Sequence, residues 1–370
     1  MMAPMDSAAS TDAGVREFPC GQCGANLAFA PGVSALRCSY CGHTQRLDAP
    51  DSAPIVEYSF DEALATAARI DARELNGSGT EVRCQGCGAT SVVEGHADRC
   101  AFCDSPVAVE QGRDEIFRPE SLLPFAIERK EARERFRTWL KKLWFAPSDL
   151  ARNARRSGID GAYLPYWTYD SQTSTRYVGQ RGEHYYETES YTDDEGKTRT
   201  RRVQKTRWYP ASGMVQAAFD DVLICATETL PRTLIRKLEP WDLDALVPFS
   251  VPYLAGFQAL RYDVDLQTGF GLAERRMEDE IRRRIRRDIG GDVQRIASMN
   301  VRHQDVRFKH LLLPVWISSF RYGEKVYRFV VNARTGEVQG ERPWSWVKIG
   351  AAVLAAAAIA AGLWYAFGQS

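Results

Sequence analysis

Tyr163-Leu164-Pro165-Tyr166-Trp167-Thr168-Tyr169 and Leu311-Leu312-Leu313-Pro314-Val315-Trp316 are the stretches that decide the fold. Both contain Leu-Pro-x-Trp in a run of aromatic and aliphatic residues that suits a pleated, buried surface. Upstream of each lies a helical pattern. Glu128–Phe145 places Ala132, Phe136, Leu140, Leu143 and Trp144 on one stripe, and Leu272–Ile289 does so with Ala273, Met277, Ile281, Ile285 and Ile289 at i+4 spacing. A strand pattern precedes each helix, at Leu122–Ile127 and within Val251–Val264. Hairpin-like alternation follows each Leu-Pro-x-Trp. In the first case it is Thr173–Val178 and Val203–Tyr209 around a charged loop; in the second it is Ile317–Tyr322, Lys325–Asn332 and Glu337-Val338-Gln339. The order predicts an α+β body made of a duplicated strand–helix–hairpin unit, over 116–220 and 221–345.

Eight of the nine cysteines stand ahead of this body in four C-x-x-C pairs: Cys20/Cys23 with Cys38/Cys41, and Cys84/Cys87 with Cys100/Cys103. Zinc takes four soft ligands in a tetrahedron, and a C-x-x-C knuckle brings two thiolates from one tight turn to the same ion. Gly24, Gly42 and Gly88 follow three of the knuckles, where positive φ lets the chain turn beneath the sulfurs; Asp104, which also tolerates that geometry, follows the fourth. Two four-cysteine zinc ribbons are therefore expected, over 17–48 and 81–112, with two structural zinc ions. Thioredoxin-like redox chemistry needs one pair opening a helix, which this matched spacing does not give. Four thiolates saturate each ion, so no position is left for a catalytic water. His43 and His96 read as surface residues beside complete ligand sets. The linker 49–80 contains a short helical pattern, Asp61–Arg73.

A net charge of zero conceals an asymmetry. Residues 1–115 carry 17 Asp/Glu against 8 Arg and no Lys, a net of −9, so the remainder carries +9. Residues 1–16 are small and polar without an apolar signal core, and read as a disordered lead-in. A reducing compartment and metal ligation thus fit the cysteines better than disulfides. At the other end, 349–367 is uncharged and flanked by Trp344, Trp346, Trp364 and Tyr365. At 1.5 Å per residue it spans about 28 Å, which predicts a C-terminal transmembrane helix. Arg342 and Lys348 on its N-terminal side would hold the bulk of the chain at the cytoplasmic face of the inner membrane, as a single-pass, tail-anchored protein in contact with lipid through 349–367.

The C-x-x-C ribbons, LLPFAIERKEA (122–132), GAYLPYWTYD (161–170), PYLAGFQALRY (252–262) and LLPVWISSFRYGEKVYRFVVNARTGEVQGERP (312–343) together resemble a bacterial family of membrane-anchored zinc-ribbon proteins. Its members are often labelled as primosomal protein N′ (replication factor Y)-like or as transcription-factor-IIB-type zinc-ribbon proteins. The resemblance covers nearly the whole chain. It implies a role in envelope stress with phage-shock-protein-A-like or SPFH-type protein partners.

Primosomal protein N′ is a replication-restart helicase, and that label finds no motif behind it here. A P-loop needs a glycine at 191, which is Tyr191, and Glu195-Gly196-Lys197-Thr198 lies in a charged hairpin loop. Cys225 sits in an apolar run and reads as a buried thiol. Arg275, Arg276, Arg282, Arg283, Arg284, Arg286 and Arg287 could meet phosphates, yet Glu274, Glu278, Asp279, Glu280 and Asp288 interleave with them, as on a self-paired helix. The expectation is a non-enzymatic adaptor that docks proteins through its ribbons. The alternative is a nucleic-acid-binding zinc-ribbon protein, disfavoured by the acidic ribbon half.

Overall fold

The computed structural model describes residues 18–47, 55–67, 80–84, 90–92, 107–111, 117–148, 150, 158–192, 196–322 and 325–367. The expected lead-in 1–16, most of the linker and the second cluster's Cys87, Cys100 and Cys103 lie outside them.

A small antiparallel sheet opens the chain: β1 (Leu27–Ala30), β2 (Ala35–Cys38) and β3 (Thr44–Arg46). β4 (Tyr58–Ser59) and α1 (Phe60–Ala67) follow, then β5 (Thr80–Cys84), β6 (Thr90–Val92), β7 (Val107–Gln111), β8 (Ser121–Leu122) and α2 (Arg129–Lys142). Two very long strands come next, β9 (Asp160–Thr192) and β10 (Thr198–Cys225), and then a short helix, α3 (Arg232–Ile235). β11 (Val247–Pro248) and β12 (Gln258–Leu260) lead to α4 (Leu266–Ile289), β13 (Val293–Tyr322), β14 (Lys325–Asn332), β15 (Val338–Gly340) and α5 (Trp346–Phe367). All strands from β4 onward join one 12-stranded sheet.

Its spine is the antiparallel pair β9–β13, in register from Ile317↔Asp160 to Val293↔Gly182. From Gly161 to Tyr169 every residue of β9 is buried, the mark of a strand covered on both faces. Beyond Asp170 burial alternates, with Ser171, Thr173, Thr175 and Tyr177 facing inward. α4 lies across this half of the sheet. Its inward stripe is Ala273, Met277, Ile281, Ile285 and Ile289, packed with Tyr177 and Phe308. Asp265 caps its first turn, accepting from the Thr268 amide at 2.8 Å. α4 starts six residues before the sequence pattern does, because Gly269 and Gly271 mask the first turn.

The two Leu-Pro-x-Trp segments meet at the centre of the spine, where Leu164 stands opposite Leu313. Each makes the same set of bonds. Trp167 Nε1 donates to Val264 O at 2.9 Å, and Trp316 Nε1 donates to Ile127 O at 2.8 Å. Both carbonyls lie immediately before the residue that precedes a helix, α4 and α2 respectively. The Ala226 amide donates to Pro165 O, and the Ala333 amide to Pro314 O. Ala226 O accepts from Asp263 and Val264, as Ala333 O accepts from Ala126 and Ile127. The short strands are exchanged: β8 pairs in parallel with β13, and β12 in parallel with β9. The halves are thus related by a local two-fold pseudo-symmetry, with each short strand in the other half's sheet.

Two expectations are corrected here. The molecule is mostly β rather than a balanced α+β fold, since segments read as separate hairpins fuse into unbroken strands such as β9 and β13. Thr, Tyr and Arg alternating past Asp170 keep the period of two running. The second correction concerns 349–367. The segment is helical, within α5, but among the described residues no helix is long and apolar enough to cross a membrane. Alanine and glycine fill most of it, and an alanine methyl contributes far less apolar area than a leucine side chain. That finding overturns the transmembrane helix, the tail anchor and the single-pass inner-membrane location. The N-terminal end of α5 is bonded to the body, with Lys348 Nζ donating to Ala146 O at 2.7 Å and the Ser345 amide to Phe145 O at 2.7 Å.

Candidate metal centre

Cys20 and Cys23 lie ahead of β1, while Cys38 ends β2 and Cys41 lies in the following turn. The two knuckles repeat one backbone design. The Gly24 amide donates to Cys20 O at 2.8 Å and the Gly42 amide to Cys38 O at 3.1 Å. The glycines have φ of 75° and 76°, a region closed to most side chains. The Cys20 amide donates to Ala25 O and the Cys38 amide to His43 O, each at 2.8 Å, closing both loops. His43 thus serves through its backbone.

The four sulfurs all lie within 4.8 Å of one another, with Cys20–Cys41 at 3.6 Å and Cys23–Cys38 at 3.5 Å. A tetrahedron with metal–sulfur bonds of about 2.3 Å has edges of about 3.8 Å, so the set fits a tetrahedral thiophilic cation. No disulfide joins them. The sulfurs divide into two kinds. The Cys41 amide, reaching Cys38 Sγ at 3.5 Å, draws that thiol down to about 6, and the Gln22 amide lowers Cys20. Against the pull of the Ala25 amide, desolvation and the neighbouring sulfurs push Cys23 up to about 12; Cys41 is raised in the same way against the His43 amide. Amides aimed at sulfur favour thiolate, the ligating form. The four cysteines could hold a metal ion.

This module is fixed to the body. The Phe29 amide donates to Ala255 O at 2.9 Å and the Gly32 amide to Phe125 O at 3.0 Å. Phe29 packs on Tyr253 with ring centroids 5.1 Å apart, and Cys20, Leu36 and Cys38 belong to the same apolar cluster as Phe125, Tyr163 and Trp316. Cys20 and Cys38 face this core, whereas Cys23 and Cys41 face solvent. Tyr40, between Cys38 and Cys41, is 84% exposed.

The second predicted ligand set is not assembled by the described residues. Cys84 ends β5, and Cys87, Cys100 and Cys103 lie outside them. Cys225 is half-buried, hydrogen-bonded to Thr227 O at 3.7 Å and pushed up to about 12 by burial, which suits an inert thiol. The α4 arginines are largely engaged at home: Arg282 with Glu278; Arg283, Arg284 and Arg287 with Glu280; and Arg276 with Glu239.

Sequence reading missed a polar knot where β9, β10 and β13 bulge together, at register breaks between Phe219 and Val222 and between Gln304 and Arg307. Buried Lys309 forms an ion pair with Asp221 Oδ1 at 2.7 Å and donates to Glu57 Oε1 at 3.0 Å. Asp170 accepts from the Asp221 amide at 2.7 Å, and burial pushes its carboxyl up to about 6. Asp170, Asp220 and Asp221 present oxygens within 4.8 Å of one another, but Lys309 already supplies the cation there. The one available signal was an isolated Lys in a strand, next to His310.

Comparisons with known proteins add one relative. The chain is 28% identical over 345 residues to the uncharacterized protein YdjG of Bacillus subtilis (strain 168), an alignment covering 90% of this chain and 92% of that one. No protein-family model matches the chain. No solved structure matches it.

Proposed function

We propose that this protein is a non-catalytic adaptor that presents a zinc-held module to a protein partner from a rigid β platform. The supporting observation is the exposed Tyr40 ring within the second knuckle, in a module whose buried Cys20 and Cys38 are packed into the core of the body. Aromatic side chains on rigid supports are the usual anchors of protein interfaces. Zinc is the ion that suits four thiolates in a tetrahedron, and four thiolates leave it no open position for chemistry. By the same spacing, Cys84, Cys87, Cys100 and Cys103 would hold a second structural zinc. The partners are those implied by the resemblance, phage-shock-protein-A-like or SPFH-type proteins.

The test is affinity capture with the tagged full chain, comparing the parent with Tyr40→Ala and with Cys23→Ser/Cys41→Ser, alongside zinc content by elemental mass spectrometry. Loss of a co-purifying partner in both variants is expected. Unchanged recovery would sink the docking role, and a parent protein without bound zinc would sink the metal assignment.

A further inference from the structure

A cavity of about 390 Å³ has none of Cys20, Cys23, Cys38 and Cys41 in its lining. It lies between the N-terminal half of α4 and the segment from α3 through the single turn Arg236–Leu238. Leu223, Ile224 and Cys225 at the end of β10 and Tyr166 of β9 form its floor, and Ile235 and Leu272 add apolar walls. Its size is that of a small-molecule site, and its lining combines apolar surface with a few converging polar groups.

The polar groups divide sharply. Arg276 is held in place, donating to Leu223 O at 3.0 Å and pairing with Glu239 through both terminal guanidinium nitrogens. Arg232 is occupied by Glu228 at 2.7 Å. Arg236 and Arg275 also line the cavity, and neither makes a hydrogen bond or ion pair with the described residues. At the floor, the Tyr166 hydroxyl is buried without a hydrogen-bond partner among the described residues. Burial, with Cys225 and Glu239 nearby, raises the phenol well above its ordinary value, so it stays protonated beneath the cavity. Four arginines stand against two carboxylates, Glu239 and Asp279, around the rim.

We infer that this cavity binds a small amphipathic oxyanion, whose head sits between Arg236 and Arg275 and whose hydrocarbon or aromatic body lies along Leu223, Ile224, Ile235 and Leu272. Guanidinium groups match carboxylate and phosphate oxygens in a planar fork, and two of the four that line the site, Arg236 and Arg275, have no carboxylate partner among the described residues. The apolar floor selects for a body behind the head, because a bare anion would leave those walls wet. The site is separate from the metal module, and its occupancy does not depend on the docking role.

The test uses the full-length chain and isothermal titration with three eight-carbon probes that differ only at the head: octanoate, octyl phosphate and 1-octanol. The parent protein should bind at least one of the two anions at a single saturable site, about tenfold or more tighter than the alcohol, a difference of about 1.4 kcal/mol. Preference for octanoate marks a carboxylate ligand and preference for octyl phosphate a phosphate one; either supports the site. Arg236→Gln/Arg275→Gln should weaken the preferred anion about tenfold or more without changing 1-octanol, while Arg302→Gln on β13 should change neither. Both cavity arginines are exposed, and an unchanged melting temperature verifies that the double variant is folded. Absence of saturable anion binding, equal affinity for 1-octanol, or full affinity in the double variant would each overturn the assignment.

Discussion

Gly269 of α4 lies directly against Tyr169 of β9: a β-carbon at 269 would fall inside van der Waals contact with the phenol oxygen and stand 2.9 Å from Trp167 Cδ1. Tyr169 cannot move aside easily, because its hydroxyl donates to Leu266 O at 2.7 Å in the same helix. Helix and sheet approach closely here because one residue has no side chain. Gly269→Ala should therefore destabilise the protein by about 1–3 kcal/mol through overpacking, although alanine is the better helix former. Gly271, one half-turn on, has open space around it, and Gly271→Ala should stabilise by about 0.5–1 kcal/mol. Urea unfolding of the two variants measures the contrast, and equal effects would refute the close approach.

Trp167 and Trp316 make equivalent buried indole bonds to Val264 O and Ile127 O. Trp167→Phe and Trp316→Phe each leave a buried carbonyl unpaired while keeping an aromatic ring. Each should lose about 1–3 kcal/mol. Chemical denaturation decides the matter, and losses below about 0.5 kcal/mol would remove these bonds from the list of fold determinants.

Cys38→Ser should lower the metal content by one equivalent per chain and expose the knuckle to proteolysis, and a strong chelator should reproduce both effects on the parent. Because Cys20 and Cys38 face the same core, Cys20→Ser should behave alike. A metal content unaltered by both substitutions would contradict the assignment of the site.

The polar knot around Lys309 gives a pH signature. Asp170 has its carboxyl raised to about 6 by burial, against an ordinary value of about 3.9. A group raised on folding contributes stability that is full below the lower value and lost as pH rises through the upper one. Asp170→Asn should remove that loss, so the parent-minus-variant stability difference should fall between about pH 4 and pH 6. Glu57, lowered by Lys309 against its own desolvation, acts oppositely and at lower pH. Denaturant midpoints across about pH 3.5–7.5 check the sign. A difference that rises with pH would refute it.

Lys309→Met should be damaging, since it leaves Asp221 and Glu57 without their cation. Both carboxylates keep some contact with solvent, so the expected cost is about 2–3 kcal/mol rather than the upper range for a fully buried pair. Thermal melts at neutral pH test this, and restoration by Lys309→Arg would show that charge, rather than packing, was lost.

What the sequence revealed followed from periodicity and fixed spacing. The knuckle glycines at 24 and 42, the buried stripe from Ala273 to Ile289 and the recurrence of Leu-Pro-x-Trp are all local signals. What it concealed depends on distance. Nothing near Ser121 shows that it will pair with Leu311, nor does Gln258 announce Ala162. The charges that neutralise Lys309 arrive from Glu57 and Asp221, far away along the chain. The cavity carrying Arg236 and Arg275 is likewise formed by two segments that are unremarkable when read separately. At 349–367 the signal itself misled, because absence of charge was weighed more heavily than the modest size of alanine.

The exchanged short strands make each half depend on the other. One unit standing alone has a long strand with no parallel neighbour and a short strand with no long strand to receive it. In one chain the two units therefore clasp each other, each long strand completed by a short strand that the other supplies.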